Sequence, residues 1–191
     1  ALALLDPFNK PRITGQPTRR LTFTQADRAI SALAAHFIES GLPSNSVIAV
    51  QLPNTIEFAL TVLAAFRAGL VVAVLPLLWR QSELTMALNR TAARAIVTSS
   101  KVDGVIYSDI AMNAAAEAFS IRHVCGFGSD LPEGMASLDR AISVESKTTR
   151  PVIETWILLA LAALNFILVV WLLARKPSPP DHSALIATLA A

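Results

Sequence analysis

The sequence predicts an α/β fold, an open and mostly parallel sheet with helices on both faces, followed by one C-terminal transmembrane helix. Three observations predict it. Strand-like and helix-like segments alternate from Thr24 to Cys125, the strand-like runs are short and apolar, and one 19-residue block from Trp156 to Ala174 carries no charge at all. The resulting layout is an amino-terminal domain over 1–145, a linker over 146–155, a spanning helix over 156–174 and a short tail over 175–191.

The first element is a hairpin. Ile13 and Leu21 to Phe23 flank Gly15 and Pro17, a turn signal between two apolar pieces, which suggests antiparallel pairing on the rim of the sheet. Thr24 then precedes a run in which Ala26, Ala29, Ile30, Leu33, Ala34, Phe37 and Ile38 recur at the helical period. Asp27 stands three residues after this cap, and the helix ends near Gly41.

Val47 to Leu52 reads as a strand ended by Pro53. Asn54 is placed to cap the next helix, with Glu57 at the reciprocal capping position. That helix, Thr55 to Ala68, is apolar on nearly every side, and Gly69 sits where a left-handed carboxyl cap is wanted. Leu70 to Leu75 is continuously apolar, as a parallel strand covered on both faces would be. Ser82 can cap a third helix carrying Leu84, Ala87 and Leu88, before a strand near Ala95 to Val97. Asp109 can cap a fourth helix with Ile110, Ala114 and Phe119, before a strand from Arg122 to Cys125. The stretch Ile56 to Trp79 is too interrupted by Glu57, Arg67, Gly69 and Pro76 to be a second membrane span and reads as core.

Trp156 to Ala174 rises about 28 Å at 1.5 Å per residue, close to the thickness of a hydrocarbon core. Trp156 and Trp171 lie near its ends and Arg175 and Lys176 close it. A wholly buried helix of a larger globular protein is the rival reading. Arg140, Lys147 and Arg150 precede the block and only two cations follow it, which places the amino-terminal domain on the cytoplasmic side of a single-pass protein with the bilayer as its partner. Lys176 to Pro180, with three prolines, reads as a linker.

Composition narrows the function. Residues 1–145 hold 12 basic and 12 acidic side chains, so no basic face for nucleic acid is legible. The single cysteine, Cys125, excludes an intrachain disulfide and suits a reducing compartment. Ala1 to Leu5 are too few for the core of a secretory signal. Gly126-Phe127-Gly128 has Leu131 where a dinucleotide fingerprint needs its third glycine. His36 and His123 lack partners at metal-ligand spacing, Ser99-Ser100-Lys101 lacks a base, and Cys125 reads as an inert buried thiol. No catalytic or metal-binding set is assigned.

Three segments in order carry a resemblance. Leu21-Thr22-Phe23-Thr24-Gln25-Ala26, Val47-Ile48-Ala49-Val50-Gln51-Leu52-Pro53-Asn54 and Phe66-Arg67-Ala68-Gly69 with Pro76 resemble the opening motifs of the adenylate-forming superfamily, the acyl-CoA synthetases and their AMP-binding relatives. The resemblance covers about residues 10–145. It implies ATP, Mg²⁺ and CoA as cofactors of the full-length family and activation of fatty or other carboxylic acids. The family's Ser/Thr/Gly-rich phosphate loop, its Tyr-Gly-x-Thr-Glu segment, its ribose-binding Asp and its final Lys have no counterpart here. Asp181 to Thr188 looks like the strand that leads into that loop.

The leading expectation is therefore a fragment or degenerate member of the synthetase family, inactive alone, with the missing remainder of a synthetase as its partner. The alternative is a tail-anchored, non-catalytic scaffold module at a membrane. Ligands of open α/β sheets bind beyond the carboxyl ends of strands, which singles out Gln51, Pro53, Asn54, Pro76, Leu77, Leu78, Trp79, Thr98 and Ser99 as ligand-side positions. Ordinary turn and edge residues are the bland reading of the same nine.

Overall fold

The computed structural model describes residues 1–144. Strands β1 (Leu2–Leu5), β2 (Arg20–Thr22), β3 (Val47–Gln51), β4 (Val71–Val74), β5 (Ala95–Ser99), β6 (Lys101–Val102), β7 (Val105–Ile106), β8 (His123–Phe127) and β9 (Ala136–Ser137) are interleaved with six helices. The helices are α1 (Lys10–Thr14), α2 (Phe23–Glu39), α3 (Ile56–Arg67), α4 (Gln81–Thr91), α5 (Tyr107–Glu117) and α6 (Leu138–Val144). The main sheet has the order β4-β3-β5-β8-β9 and every neighbouring pair is parallel.

The strand runs lack polar alternation because both faces are covered. Ile48 and Val50 turn to one face with α2, α3 and α6, while Ala49 turns to the other with α4 and α5. β5 repeats the device, with Ala95 and Val97 on the first face and Ile96 on the second. Leu33, Leu60, Leu84 and Leu88 are fully enclosed in these two layers.

The fold class as expected is corrected in one part. Mixed α/β with a parallel sheet is what the chain forms, but no helix among the described residues is long and apolar enough to cross a membrane. Trp156 to Ala174, the linker before it and the tail after it lie outside the described residues. The fold class that the structure supports is thus mixed α/β with a parallel sheet and without a transmembrane helix, and the membrane-anchored alternative has no support from it.

Local corrections have local causes. Ile13 is not a strand residue. It belongs to α1, and β2 pairs antiparallel with β1 instead, with Leu5 opposite Arg20. Helix α2 is capped by Thr22 rather than Thr24, because Gln25 stands three residues on. The Thr22 side chain accepts the Gln25 N–H at 3.3 Å, and Gln25 Oε1 accepts the Thr22 N–H at 2.9 Å, closing a capping box. Asp27 is free for another task and accepts from Arg67 at 2.8 Å, tying α2 to α3.

Helix α4 begins after Arg80, whose N–H is accepted by Glu83 Oε2 at 3.1 Å, so Ser82 lies inside the helix. Helix α5 begins at Tyr107, which places Asp109 in its first turn, and Phe119 lies beyond its end, 91% exposed. Strand β4 is an edge of the sheet, with Val71 and Val74 exposed, not a strand covered on both faces. An apolar run does not distinguish an edge from a centre, because that depends on strand order.

Candidate functional site

The sheet reverses its winding between β3 and β5. The chain leaves β3 for α3 on one face, and it leaves β5, through the β6–β7 hairpin, for α5 on the other. In open α/β sheets the crevice beyond the carboxyl ends of two such strands is the usual ligand site. Here the amino-terminal segment fills it.

Lys10, on the first turn of α1, is 1% exposed and reaches into this crevice. Its Nζ lies 2.8 Å from Asp6 Oδ2 and 2.7 Å from Glu57 Oε1, and Arg19 also pairs with Glu57. Asp6 accepts the N–H of Arg19 at 2.9 Å and, through Oδ1, the N–H of Ile56 at 2.8 Å. The last contact is a helix cap supplied from fifty residues away. Asn54 does not cap α3, and Thr55 at the cap position makes no side-chain cap bond.

Two carboxylates and two cations balance in this cluster. Burial alone would raise the Asp6 carboxyl, but Lys10 and the N–H groups of Ile56 and Arg19 outweigh it and hold the group below its ordinary value. Burial likewise works against the Glu57 carboxylate, and Lys10, Thr55 and Arg19 outweigh it in the same direction. Both acids are ionised near neutral pH.

What is left of the crevice is a cavity of about 70 Å³, bordered by Lys10, Arg19, Glu57, Ser99, Ser100 and Asp139 among others. That is room for a few ordered waters rather than for a nucleotide. Asp139 is committed to the loop after β8, its Oδ2 accepting the Gly128 N–H at 2.7 Å.

The glycine pair beside this cavity serves packing. A Cβ on Gly126 would lie 2.7 Å from both Leu131 Cδ2 and Met135 Sδ, and one on Gly128 would collide with Ser100 Oγ. The space a phosphate would need against a bare backbone is occupied by side chains. Among the described residues no group of three His, Cys, Asp or Glu could hold a metal ion. No chemical step is assigned to the described residues.

The nine ligand-side candidates all stand at or just beyond carboxyl ends of strands, but they do not converge. Ser99 alone borders the small cavity, and Asn54 borders a separate open groove with Leu4, Phe8 and Arg20. Gln51 is fully buried and staples the next loop, donating from Nε2 to Pro76 O at 3.0 Å and Trp79 O at 3.1 Å, while Thr98 Oγ1 donates to Gln51 O at 3.2 Å. Pro53 is buried, Leu77 and Trp79 are half-buried, and Pro76 and Leu78 are exposed. Ser100 is a backbone anchor whose carbonyl accepts the N–H of Tyr107 at 3.1 Å.

Burial pushes the Cys125 thiol up to about 12, so it is protonated and inert at neutral pH. Burial also lowers His36, with Glu39 opposing and His123 adding to the effect. Sequence reasoning missed Asp6, Lys10, Arg19 and Asp139. Asp6 and Lys10 are four apart, but they flank a proline-containing turn where that spacing carries no helical meaning until the fold is known.

Comparison with known proteins fits this architecture. A medium-chain fatty-acid–CoA ligase of Escherichia coli is 37% identical over 73 residues, which is 38% of this chain and 13% of the relative. Pseudomonine synthase PmsE of Pseudomonas entomophila is 31% identical over 99 residues, 52% of this chain and 16% of the relative. The chain therefore matches less than a fifth of the length of these curated relatives. Among solved structures, acetoacetyl-CoA synthetase from Streptomyces lividans aligns with a TM-score of 0.60 at 16% identity, covering 66% of this chain and 21% of that one. The anthranilate CoA ligase AuaEII, solved with anthranoyl-AMP, aligns with a TM-score of 0.61 at 15% identity, covering 71% and 26%. At these identities the two structures speak for the fold alone. The family described as AMP-binding enzyme matches residues 3–184, nearly the whole sequence, and the matched span includes the apolar block first read as a membrane helix. The chain belongs to the AMP-binding enzyme family.

Proposed function

We propose that this chain supplies the amino-terminal α/β layer of a carboxylate–CoA ligase and does not adenylate a carboxylic acid by itself. In the whole enzyme it acts as the scaffold against which the nucleotide-handling segments assemble, with ATP, Mg²⁺ and CoA used by that whole enzyme and a fatty or other carboxylic acid as substrate.

One observation carries the reading. The crevice at the β3/β5 switch point is filled by the paired Lys10 and Glu57 side chains, leaving about 70 Å³. Adenylation depends on placed donors around the phosphates and on neutralising charge as it develops. A narrow, charge-balanced crevice offers neither to a triphosphate. The limited share of the relatives that the chain matches, 13% and 16%, supports the same division of labour.

ATP–pyrophosphate exchange with the purified chain and a panel of short, medium and aromatic carboxylic acids tests the proposal. The expected result is no exchange above a buffer control. Carboxylate-dependent turnover by the chain alone would overturn it.

A further inference from the structure

Lys10 Nζ is bonded to Asp6 Oδ2 and Glu57 Oε1, yet each carboxylate has further contacts that hold it in place. Asp6 is fixed by backbone groups. Its Oδ2 accepts the Arg19 N–H at 2.9 Å, its Oδ1 accepts the Ile56 N–H at 2.8 Å, and its own N–H donates to Arg19 O at 3.1 Å. Glu57 stands in the first turn of α3 and is paired with the Arg19 side chain as well. The two acids form a receptor built by Arg19 and the start of α3, and the Lys10 ammonium is inserted into it.

Charge and geometry set what such a receptor takes. Asp6 and Glu57 carry two negative charges and Arg19 offsets one, so one further cation completes the balance. The contacts of 2.8 and 2.7 Å are those of charge-assisted N⁺–H···O⁻ bonds. An ammonium group has three N–H donors and can serve both acids at once, whereas a neutral hydroxyl has a single proton to give. The site also has an approach. Lys10 borders the cavity of about 70 Å³, and the exposed residues Pro17 and Lys101 border it too.

We infer that Asp6 and Glu57 form a binding site for a primary ammonium group, occupied by the chain's own Lys10, and that a free alkylammonium ion takes the site when that side chain is cut back. The switch-point crevice is on this reading a cation-recognition site with a tethered ligand. The inference is independent of the proposed function, since it concerns ion pairing in the crevice and not adenylation.

Urea unfolding of the Lys10→Ala variant in propylammonium chloride, the cation that the substitution removes, tests this. The midpoint falls in plain buffer and recovers with the amine, the folding equilibrium constant growing about tenfold for each tenfold rise in propylammonium above its dissociation constant. 1-Propanol, of the same length and uncharged, and potassium chloride at the same ionic strength leave the midpoint where it was. The wild-type chain, Lys10→Met, whose own side chain fills the space, and Lys10→Ala combined with Glu57→Gln show no response to the amine. Should Lys10→Ala be unfolded in plain buffer, propylammonium restores its far-ultraviolet circular dichroism. Absence of a propylammonium effect on both readouts overturns the inference. So does an equal effect of potassium or 1-propanol, or an equal response in the wild type, in Lys10→Met or in the Glu57→Gln double variant.

Discussion

Lys10 Nζ lies 2.7 Å from Glu57 Oε1, with both side chains buried and 47 positions apart in the chain. The pair holds the amino-terminal segment against the start of α3 and narrows the crevice that an open α/β sheet ordinarily keeps for a ligand. Several measurable consequences come from that contact and from the packing around it.

Replacing Lys10 with Met removes the cation shared by Asp6 and Glu57 and leaves two carboxylates buried with Arg19 alone. Breaking a buried ion pair from one side costs about 3–5 kcal/mol. The midpoint of urea unfolding is expected to fall accordingly at unchanged slope. Glu57→Gln in the Lys10→Met background is expected to recover part of the loss, because the uncompensated charge is then gone. Additive losses in the double variant would contradict the shared-cation arrangement.

Stability is expected to decline in two stages as the pH falls. His36 has a folded pKa below its ordinary 6.5, so the unfolded chain takes up that proton first, and stability present above pH 6.5 begins to fall below it. Asp6 and Glu57 are depressed below 3.8 and 4.5, so their contribution is intact above those values and is lost as the pH drops through their folded values. Urea midpoints measured from pH 8 to pH 3 check both stages. His36→Phe is expected to flatten the first stage and Glu57→Gln the second.

Gly126→Ala distinguishes a packing glycine from a phosphate-binding one. The new Cβ meets Leu131 and Met135 at 2.7 Å, so the variant is expected to lose about 1–3 kcal/mol through overpacking. Leu131→Ala added to it is expected to relieve part of that strain. If Gly126→Ala unfolds at the wild-type urea concentration, the close packing around this residue is refuted.

Cys125 is expected to resist alkylation in the folded chain, because burial keeps the thiol protonated and out of reach. Iodoacetamide at pH 8, followed by intact mass, should give negligible modification in buffer and complete modification in urea. Rapid native labelling would show that the strand carrying it opens readily.

Much of the fold was legible because local chemistry and burial agree. The turn at Pro53, the left-handed Gly69 at a φ of 73° and the strand runs around Val50 and Val97 all sit where the pattern put them. Thr22 was missed as a cap in favour of Thr24 because both threonines have a polar residue three positions on. Only the geometry shows that Gln25 closes the box while Asp27 is taken by Arg67. The short strands β6, β7 and β9 have two residues each, too few for any periodicity.

The candidate site was legible only in its location. Gln51, Thr98 and Ser99 stand at carboxyl ends because strand direction in a parallel sheet follows from the strand–helix alternation. What those ends do was not legible, since Gln51 spends its amide on Pro76 and Trp79, both more than twenty residues away.

Sequence by itself determined the alternation of strand and helix, the placing of helices on both faces of a mostly parallel sheet and the ordered motifs that mark the AMP-binding family, because each is built from segments whose own pattern is local. Tertiary structure alone decided that β4 is an edge, that Asp6 caps a helix fifty residues on, and that Lys10 fills the switch-point crevice. Strand order and ion pairing between distant segments depend on which surfaces meet after the chain has folded, and no local pattern encodes that meeting.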